Sequence, residues 1–500
     1  MEILYRSTRG SRDIASASAA MLNGLAPDGG LYVPDHLPHL EKSWTELAQM
    51  SYHGIAYEVM RPFLADFSEK ELKACIRAAY DKKFDTPQIA PITKADGRYF
   101  LELWHGSTMA FKDMALSILP YLMANAAHKQ NEEREIVILT ATSGDTGKAA
   151  LAGFADVPGT KIIVFYPKDG VSPIQEKQMV TQEGENVLVV GINGNFDDAQ
   201  NGVKALFTDE AERERMNRNM LRFSSANSIN IGRLVPQIAY YIAAYAGMLR
   251  EGEIGNGYKI NICVPTGNFG NILAAYYAQW MGLPVNRLIC ASNSNKVLFD
   301  FFKTGTYDRN REFITTQSPS MDILISSNLE RLIYHATGDS AEKCGALMHQ
   351  LSRDGRYDIS REMAKELTYF SAGYATEEEC GKEIRTLFED TGYLIDTHTA
   401  VGAAVHRKYV KETGDDTATL IASTASPYKF PRAVWNALQG RALADRTQDA
   451  EDEQLAEQLS KMSGMPLPEP FLQLKRARVR HKGVCEKDGM RAEVERFLGL

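Results

Sequence analysis

The sequence predicts an α/β protein with largely parallel sheets, and two observations carry this prediction. From about residue 99 onward, short apolar runs alternate with stretches whose apolar residues recur at helical spacing, which is the pattern of repeated strand–helix units. The runs are also continuous and rich in β-branched residues, as in strands buried on both faces. They cover residues 136–141, 161–166, 186–192, 260–264 and 417–422.

Size and composition exclude several classes of protein. The 500 residues exceed a single ordinary core, so we expect two or three domains. With 44% apolar and 24% charged residues the composition is that of a globular protein, and the net charge of -8 argues against nucleic-acid binding. We find no apolar run long enough to span a bilayer and no signal peptide, so we expect a cytoplasmic protein without a membrane partner.

The residues that usually bind metals show no site. The 6 cysteines include no CxxC pair, and their apolar surroundings fit reduced thiols. The 10 histidines are scattered, and no two of them have the spacing of a helical zinc site. We therefore expect no metal.

The pattern along the chain divides it into four parts. The first is a helical N-terminal unit with a glycine-rich turn, and the last is a helical extension. Between them we expect a large α/β domain, with a mostly helical insertion, and a small mobile α/β domain. The predicted limits are 1–95 for the N-terminal unit, 96–130 and 225–430 for the large domain with its insertion at about 340–410, 131–224 for the small domain, and 431–500 for the extension.

Lys112 lies where a predicted strand, residues 99–103, gives way to a predicted helix, residues 114–122. The positive end of the helix dipole disfavours further positive charge there. Together with apolar neighbours such as Phe111 and Met114, it should lower the lysine pKa toward the neutral amine. Schiff-base chemistry with an aldehyde needs that neutral amine. From this stretch alone, an exposed lysine that opens an ordinary helix is the simpler interpretation.

Three loops follow buried strands and suit a ligand. Residues 142–147 combine two glycines, the hydroxyls of Ser143 and Thr146 and a helix start, which suits an anion such as a carboxylate, although a plain helix cap is an equal alternative. In residues 265–271, two glycines flank Asn268 and Phe269 and suit a nest of backbone N–H groups around a phosphate. No Gly-Lys-Ser/Thr follows, which excludes a Walker loop, and the glycine spacing excludes a dinucleotide fingerprint. The third loop covers residues 423–430, and this stretch by itself predicts only an ordinary turn.

The combination of these features suggests pyridoxal phosphate. The lysine would bind the cofactor aldehyde, the nest would hold its phosphate, and the other loop would hold a substrate carboxylate. A neutral hydroxyl at the pyridine nitrogen would leave that nitrogen largely unprotonated, and such a partner favours elimination or replacement over transamination.

On several motifs, the chain resembles the long-form threonine synthase family of bacteria and fungi, which is part of the tryptophan-synthase-β-like group of pyridoxal-phosphate enzymes. The resemblance extends from the N-terminus to about Pro431. Its motifs are residues 5–10, 24–34, 103–113, 143–147, 227–230, Arg233 with 236–237, and 267–271.

The resemblance implies a fold type II enzyme whose cofactor lies between two parallel-rich α/β domains. It implies a lyase that converts O-phospho-L-homoserine and water to L-threonine and phosphate, the last step of threonine biosynthesis. It also implies a monomer or homodimer. Lys112 would be the catalytic residue and would carry the cofactor. The other cofactor-binding residues would be Gly267, Asn268, Phe269, Gly270, Asn271 and Thr424, and the substrate-binding residues would be Ser143, Gly144, Asp145, Thr146, Asn227, Ser228 and Arg233.

Three residues depart from the family pattern. Ser107 stands where the family usually has proline, Ser426 where it has histidine, and Lys148 where it has a small residue. We expect Ser107 to loosen the turn that aims Lys112 and Ser426 to remove an imidazole from the crevice. Lys148 would add a cation near the substrate anion or be solvated on its helix.

Two other functions fit the same motifs. A phospho-lyase of the same fold would release 2-oxobutyrate, and only the products distinguish it. A non-catalytic relative would bind pyridoxal phosphate or a phosphorylated amino acid without turnover.

Overall fold

The computed structural model describes residues 2–142, 144–446 and 450–500. Its strands, in chain order, are β1 Tyr5–Ser7, β2 Tyr32–Pro34, β3 Ile92–Ala95, β4 Arg98–Glu102, β5 Glu135–Ala141, β6 Thr160–Pro167, β7 Val187–Asn193, β8 Leu221–Ser224, β9 Ile260–Pro265, β10 Val285–Ser292, β11 Thr306–Asp308, β12 Arg356–Asp358, β13 Phe370–Tyr374, β14 Thr419–Ser423 and β15 Gly483–Glu486.

The α-helices are α1 Ala17–Asn23, α2 Trp44–Leu47, α3 Tyr52–Phe63, α4 Glu69–Ala79, α5 Asp113–Leu116, α6 Leu119–Lys129, α7 Asp145–Phe154, α8 Pro173–Val180, α9 Phe196–Thr208, α10 Glu210–Arg218, α11 Ile231–Arg250, α12 Gly270–Trp280, α13 Val297–Thr304, α14 Leu329–Ala336, α15 Ala341–Asp354, α16 Arg361–Glu366, α17 Glu377–Thr391, α18 Thr397–Thr413, α19 Pro431–Leu438, α20 Asp452–Ser463, α21 Glu469–Arg476 and α22 Met490–Leu498. Short 3-10 helices cover Pro319–Met321, Pro427–Lys429 and Lys487–Gly489.

The larger sheet has six strands in the order β13-β10-β9-β14-β4-β3. All neighbouring strands run parallel except β3, which is antiparallel to β4. Every residue of β9 and β14 is buried, as expected for central strands covered on both faces. The carboxyl ends of β4, β9 and β14 lead to residues 103–112, 266–271 and 424–430, so the sheet brings these three loops to one edge.

The smaller sheet has five parallel strands in the order β15-β7-β6-β5-β8. Its strand β5 leads into residues 142–147 and helix α7. The predicted α/β class with two parallel-rich sheets is confirmed.

Three short strands lie within the predicted helical insertion and C-terminal extension, and the first of them, β12, pairs with β11. β13 forms an edge of the larger sheet within the predicted insertion, and β15 adds to β7 of the smaller sheet within the predicted C-terminal extension. Neither Phe370–Tyr374 nor Gly483–Glu486 is a continuous apolar run, and most of their residues are at least partly exposed. Edge strands of this kind carry little of the periodicity on which the prediction depends.

Helix α11 is the central helix of the larger half. Seventeen of its 20 residues are buried, which is typical of a helix surrounded by protein. The Asn230 side chain caps its first turn by accepting a hydrogen bond from Gly232 N–H. This packing fixes Arg233, one turn into the helix, in the interior.

The N-terminal unit packs against this half through polar as well as apolar contacts. Tyr5 donates a hydrogen bond to the Phe63 carbonyl within the unit (2.7 Å). Arg9 forms a bidentate ion pair with Glu330 at distances of 2.8 and 2.9 Å. The Tyr32 carbonyl accepts a hydrogen bond from the buried Arg331 (2.9 Å). Across the described ranges, no helix is long and apolar enough to cross a membrane.

Candidate active site

Lys112 occupies the N-cap position of α5, directly before Asp113. The turn that leads to it is fixed by Asp113, whose carboxylate accepts hydrogen bonds from the Thr108 N–H (2.7 Å) and hydroxyl (2.6 Å). On the other side, Phe111 N–H donates to the Thr424 carbonyl at the end of β14 (2.8 Å). The lysine is therefore held between its own turn and the third predicted loop, as the strand–turn–helix pattern indicates.

A polar chain connects the Lys112 amine to the small sheet. Lys112 Nζ donates to Ser320 Oγ (3.2 Å), and Ser320 Oγ donates to Asp145 Oδ2 (2.7 Å). Asp145 Oδ1 forms an ion pair with Lys429 Nζ (3.0 Å) and accepts from Gln175 Nε2 (2.8 Å). Asp145 opens helix α7, so the chain of contacts joins the two α/β halves directly at the catalytic candidate.

The surroundings of Lys112 favour its neutral form. Burial is the main reason that its pKa falls from 10.5 to about 8. The charges of Arg233 and Lys429 lower the pKa further, whereas Asp145 raises it. An amine with this pKa has a far larger neutral fraction near physiological pH than an ordinary lysine, and the neutral form can act as a nucleophile or a base.

This pKa predicts how covalent attachment of pyridoxal phosphate to the cofactor-free protein depends on pH. The attachment rate should rise about tenfold per pH unit and level off near pH 8, because only the neutral amine attacks an aldehyde. Stopped-flow absorbance at fixed cofactor concentration measures the rate. Arg233→Met should move the midpoint to higher pH, because it removes a cation that lowers the Lys112 pKa. A midpoint near 10.5 in the unmodified protein would contradict this account.

Residues 267–271 form a cup of backbone N–H groups between β9 and α12. Phe269 has a left-handed backbone (φ 65°), and the first turn of α12 has no side-chain cap. In the described part of the chain, the N–H groups of residues 267–271 have no hydrogen-bond acceptor. Consecutive unpaired N–H groups at a helix start suit a phosphate.

The carbonyl groups of the same loop are held on its other side. Ser326 Oγ donates to the Gly267 carbonyl (2.6 Å), and Asn328 donates to the Asn268 carbonyl from both its backbone and side-chain nitrogens (3.0 Å each). A Cβ atom at Gly267 would lie 3.0 Å from the Ser320 carbonyl oxygen. Ser320 therefore contacts the loop with its backbone and Lys112 with its side chain, which brings the amine and the cup into one crevice.

Thr424 closes a third side of this crevice. It is buried, its carbonyl is bonded to Phe111, and among the described residues its hydroxyl has no hydrogen-bond partner. The hydroxyl is thus available to a ligand nitrogen, as the resemblance implies. Ser426 N–H donates to the Met109 carbonyl (3.1 Å), so this loop lies along the Lys112 turn.

The predicted carboxylate loop is only partly described. Ser143 lies outside the described residues. Gly144 has a φ of 134°, and a Cβ atom there would overlap Gln175, so the loop needs glycine at this position. In the described residues, the N–H groups of Asp145 and Thr146 have no acceptor. The Asp145 side chain is already engaged by Ser320, Gln175 and Lys429, so the backbone of this loop is what remains for an anion.

The predicted substrate-phosphate residues lie at the start of α11. Arg233 is buried and donates from Nη1 to the Ala226 carbonyl (3.0 Å), whereas its Nε has no partner. Among the described residues no carboxylate pairs with it, and burial lowers its pKa to about 10. Asn227 is exposed, and the Ser228 carbonyl accepts from Asn328 (3.3 Å), beside the phosphate cup. A buried arginine with an unpaired donor suits an anionic ligand.

Three family profiles match the chain in order. They are "Threonine synthase N terminus" over residues 4–80, "Pyridoxal-phosphate dependent enzyme" over residues 84–424, and "Threonine synthase, C-terminal" over residues 399–480. The second profile alone covers more than half of the chain. The chain belongs to the threonine synthase family of pyridoxal-phosphate dependent enzymes.

Individual members of the threonine synthase family resemble it over most of its length. Threonine synthase of Saccharomyces cerevisiae is 33% identical over 502 residues, which are 94% of this chain and 95% of the yeast protein. Human threonine synthase-like 1 is 38% identical over 435 residues, which are 84% of this chain but 58% of that relative's length. The crystal structure of threonine synthase from Brucella melitensis with bound pyridoxal phosphate superposes with a TM-score of 0.87, at 34% identity and 99% coverage of both chains.

The residues that surround Lys112 fit the family's cofactor. The unpaired N–H groups of residues 267–271 match its phosphate, the Lys112 amine matches its aldehyde, and the free Thr424 hydroxyl matches its ring nitrogen. When bound, pyridoxal phosphate supplies an electron sink that stabilises negative charge on substrate carbon atoms. The predicted cofactor is therefore confirmed by family membership, and the crevice has a group for each of its polar parts.

The predicted site residues do not include four side chains of the site, which are Gln175, Ser320, His398 and Lys429. Ser320 lies in the 3-10 helix Pro319–Met321, in a segment without a strand–helix pattern. Its N–H donates to His398 Nε2 (3.2 Å), and His398 Nδ1 contacts Asp396 (2.8 Å). A polar residue in a structureless run and a histidine in a helix give no signal of this contact in the sequence.

The departures from the family pattern have local explanations. The Ser426 hydroxyl accepts from Tyr428 N–H and caps the following 3-10 helix. Lys148 Nζ donates to Gln182 Oε1 (2.5 Å), so its ammonium group contacts the end of α8. Ser107 lies in the turn fixed by Asp113 and Thr108, whose bonds do not depend on a proline.

Proposed function

We propose that this protein is a threonine synthase that converts O-phospho-L-homoserine and water to L-threonine and phosphate. The observation that carries the proposal is the presence of a second anion site beside the cofactor cup. Arg233 is a buried, unpaired cation close enough to Lys112 to lower its pKa. A substrate with its own phosphate needs such a site in addition to the one for the cofactor. The names of the full-length relatives support the same reaction.

The residues divide this reaction between them. Lys112 takes and returns protons, because its pKa is lowered to about 8 and both forms of its free amine are therefore present near that pH. Arg233 binds the leaving phosphate, for which a guanidinium can donate two hydrogen bonds at once. The N–H groups of Asp145 and Thr146 take the substrate carboxylate. Thr424 bonds the ring nitrogen, and residues 267–271 hold the cofactor phosphate.

The contact chain from Lys112 through Ser320 to Asp145 gives the small sheet a role in this proposal. Residues 131–224 are the small domain, and residues 96–130 with 225–430 are the large one. Closing one on the other brings Asp145 to Ser320 and Lys429 and shields the amine from water. Residues 1–95 and 431–500 flank these domains, and each adds one edge strand, β3 to the larger sheet and β15 to the smaller sheet. We further propose a cytoplasmic location and a monomeric or homodimeric state, with a small molecule as the only substrate.

Product analysis tests the proposed reaction. The cofactor-loaded protein is mixed with O-phospho-L-homoserine, and phosphate, threonine and 2-oxobutyrate are quantified together. We expect phosphate and threonine in equal amounts. Arg233→Met should lower kcat/KM on the order of a hundredfold, because it removes a charged hydrogen-bond donor to phosphate. Phosphate with 2-oxobutyrate would identify a phospho-lyase, and bound cofactor without any turnover would favour a non-catalytic relative.

A further inference from the structure

Arg331, on helix α14, is a charged side chain that the proposed reaction does not use. It is completely buried, with 0% of its surface exposed. Its guanidinium donates to the Tyr32 carbonyl (2.9 Å), to the Ile229 carbonyl (2.6 Å) and to Asn328 Oδ1. All three acceptors are neutral. Burying a charge without a counter-charge is costly, so the structure has to offset this cation elsewhere.

The nearest acidic side chain in sequence, Glu330, forms no ion pair with Arg331, although its charge partly opposes the effect of burial on the Arg331 pKa. Glu330 accepts hydrogen bonds from the Thr8 hydroxyl (2.6 Å) and from Arg9 of the N-terminal unit. In the described chain, no carboxylate lies within ion-pair distance of Arg331. Burial lowers the pKa of Arg331, but arginine keeps its charge in proteins. A buried positive charge therefore remains in this part of the molecule.

Asn328 links this charge to the cup formed by residues 267–271. Its Oδ1 accepts from Arg331, so its Nδ2 must point the other way and donates to the Asn268 carbonyl (3.0 Å) and the Ser228 carbonyl (3.3 Å). An amide that accepts from a cation is polarised and becomes a stronger donor. Because the Asn268 carbonyl is bonded to Asn328, the N–H groups of residues 267–271 stay available to a ligand in the crevice.

We infer that Arg331 is a positioning residue for the cofactor phosphate. Through Asn328, Arg331 stabilises the bound phosphate from behind the cup, and the negative charge of the phosphate offsets the positive charge of Arg331. The inference rests on the proposed assignment of residues 267–271 to that phosphate. The same guanidinium bonds Tyr32 of β2 and Ile229 of the segment before α11. It thereby ties the N-terminal unit and the Arg233 segment to the cup.

Comparison of pyridoxal phosphate with pyridoxal, which lacks the phosphate, tests this role. Both are titrated into the cofactor-free protein, and binding is followed by absorbance. The Kd of pyridoxal divided by the Kd of pyridoxal phosphate, called the Kd ratio below, measures what the phosphate contributes to binding. Arg331→Gln should weaken pyridoxal phosphate on the order of tenfold and pyridoxal by less than about twofold. Equal weakening of both ligands would show a merely structural role and would overturn the inference.

Two further variants make the test independent of whether Arg331→Gln folds. Asn328→Asp places a carboxylate against Arg331, which supplies a counter-charge inside the fold and removes a donor to Asn268. We expect it to keep the melting temperature and to lower the Kd ratio several-fold. Glu330→Gln is the control for a carboxylate that is bonded to Arg9 and acts on Arg331 only at a distance, and it should change the ratio much less than Asn328→Asp does. If Asn328→Asp leaves the Kd ratio unchanged, the inference is also overturned.

The outcome is separable from the proposed reaction, because the ratio does not depend on turnover. If the unmodified protein binds both ligands equally, the assignment of residues 267–271 fails and the Arg331 inference fails with it. If it prefers pyridoxal phosphate and the variants keep that preference, the inference about Arg331 alone is wrong.

Discussion

Lys112→Ala should abolish the conversion of O-phospho-L-homoserine and the visible absorbance of the bound cofactor. The amine at this position is the one that lies within hydrogen-bond distance of Ser320, beside the phosphate cup. Alanine removes both the covalent attachment of the cofactor and the base that moves protons, so we expect kcat to fall by about a thousandfold or more. Steady-state assays of phosphate release and absorbance of the loaded protein measure the two effects.

Lys148→Ala is the matched control for this variant. Lys148 is another partly buried lysine whose pKa is lowered to about 8, mainly by burial. Its ammonium group contacts Gln182 at the end of α8, whereas Ser320 contacts Lys112. The control should keep the cofactor absorbance. Loss of absorbance in Lys148→Ala together with its retention in Lys112→Ala would reverse the assignment.

Breaking the Asp145–Lys429 ion pair should have the largest effect on stability. Lys429 is fully buried and also donates to the Thr108 carbonyl (2.7 Å). Its charge holds the pKa of Asp145 far below the usual range, against the opposing effect of burial. Asp145→Asn or Lys429→Met alone leaves one charge buried without its partner and should cost about 3–5 kcal/mol. The double variant should lose less than the sum, by about 1–3 kcal/mol.

Thermal and denaturant unfolding of the four proteins give the coupling energy, and the kcat of each gives the functional effect. The Arg98–Glu383 pair is the matched control, because it is equally buried (2.7 Å, both side chains 5% exposed) and lies outside the crevice. In the same comparison of single and double variants, Arg98→Met and Glu383→Gln should have non-additive effects on the free energy of unfolding. None of these variants should change kcat. The Asp145–Lys429 double variant should stay impaired in kcat, because the contact chain to Lys112 through Ser320 is lost. Strictly additive stability losses would contradict this account.

The strand–turn–helix pattern was enough to predict the fold class and the position of Lys112. The loops after β9 and β14 were predicted as ligand loops because buried parallel strands are visible as continuous apolar runs. Parallel strands then bring those loops to one edge without further information. The glycines of residues 267–271 indicated an anion because they leave backbone N–H groups accessible.

The parts that escaped prediction depend on contacts between distant segments. Ser320 comes from a long irregular segment, and His398 from the first turn of α18, so neither has a local pattern that points to Lys112. The Asp145 side chain appeared to belong to a substrate loop. In the folded chain a lysine 284 residues away in sequence pairs with it, and only the tertiary structure reveals that partner. Strands β13 and β15 are short edge strands with mixed polarity, which periodicity does not distinguish from loops.

The central claim is that Lys112 holds the cofactor at the edge of the larger sheet. The most direct measurement treats the cofactor-loaded protein with borohydride, which fixes pyridoxal phosphate to the amine that holds it, and then maps the modified peptide by mass spectrometry. We predict the added mass on the peptide that contains Lys112 and on no other lysine. Attachment at Lys148 or Lys429 would contradict the account, because it would move the chemistry away from the cup formed by residues 267–271.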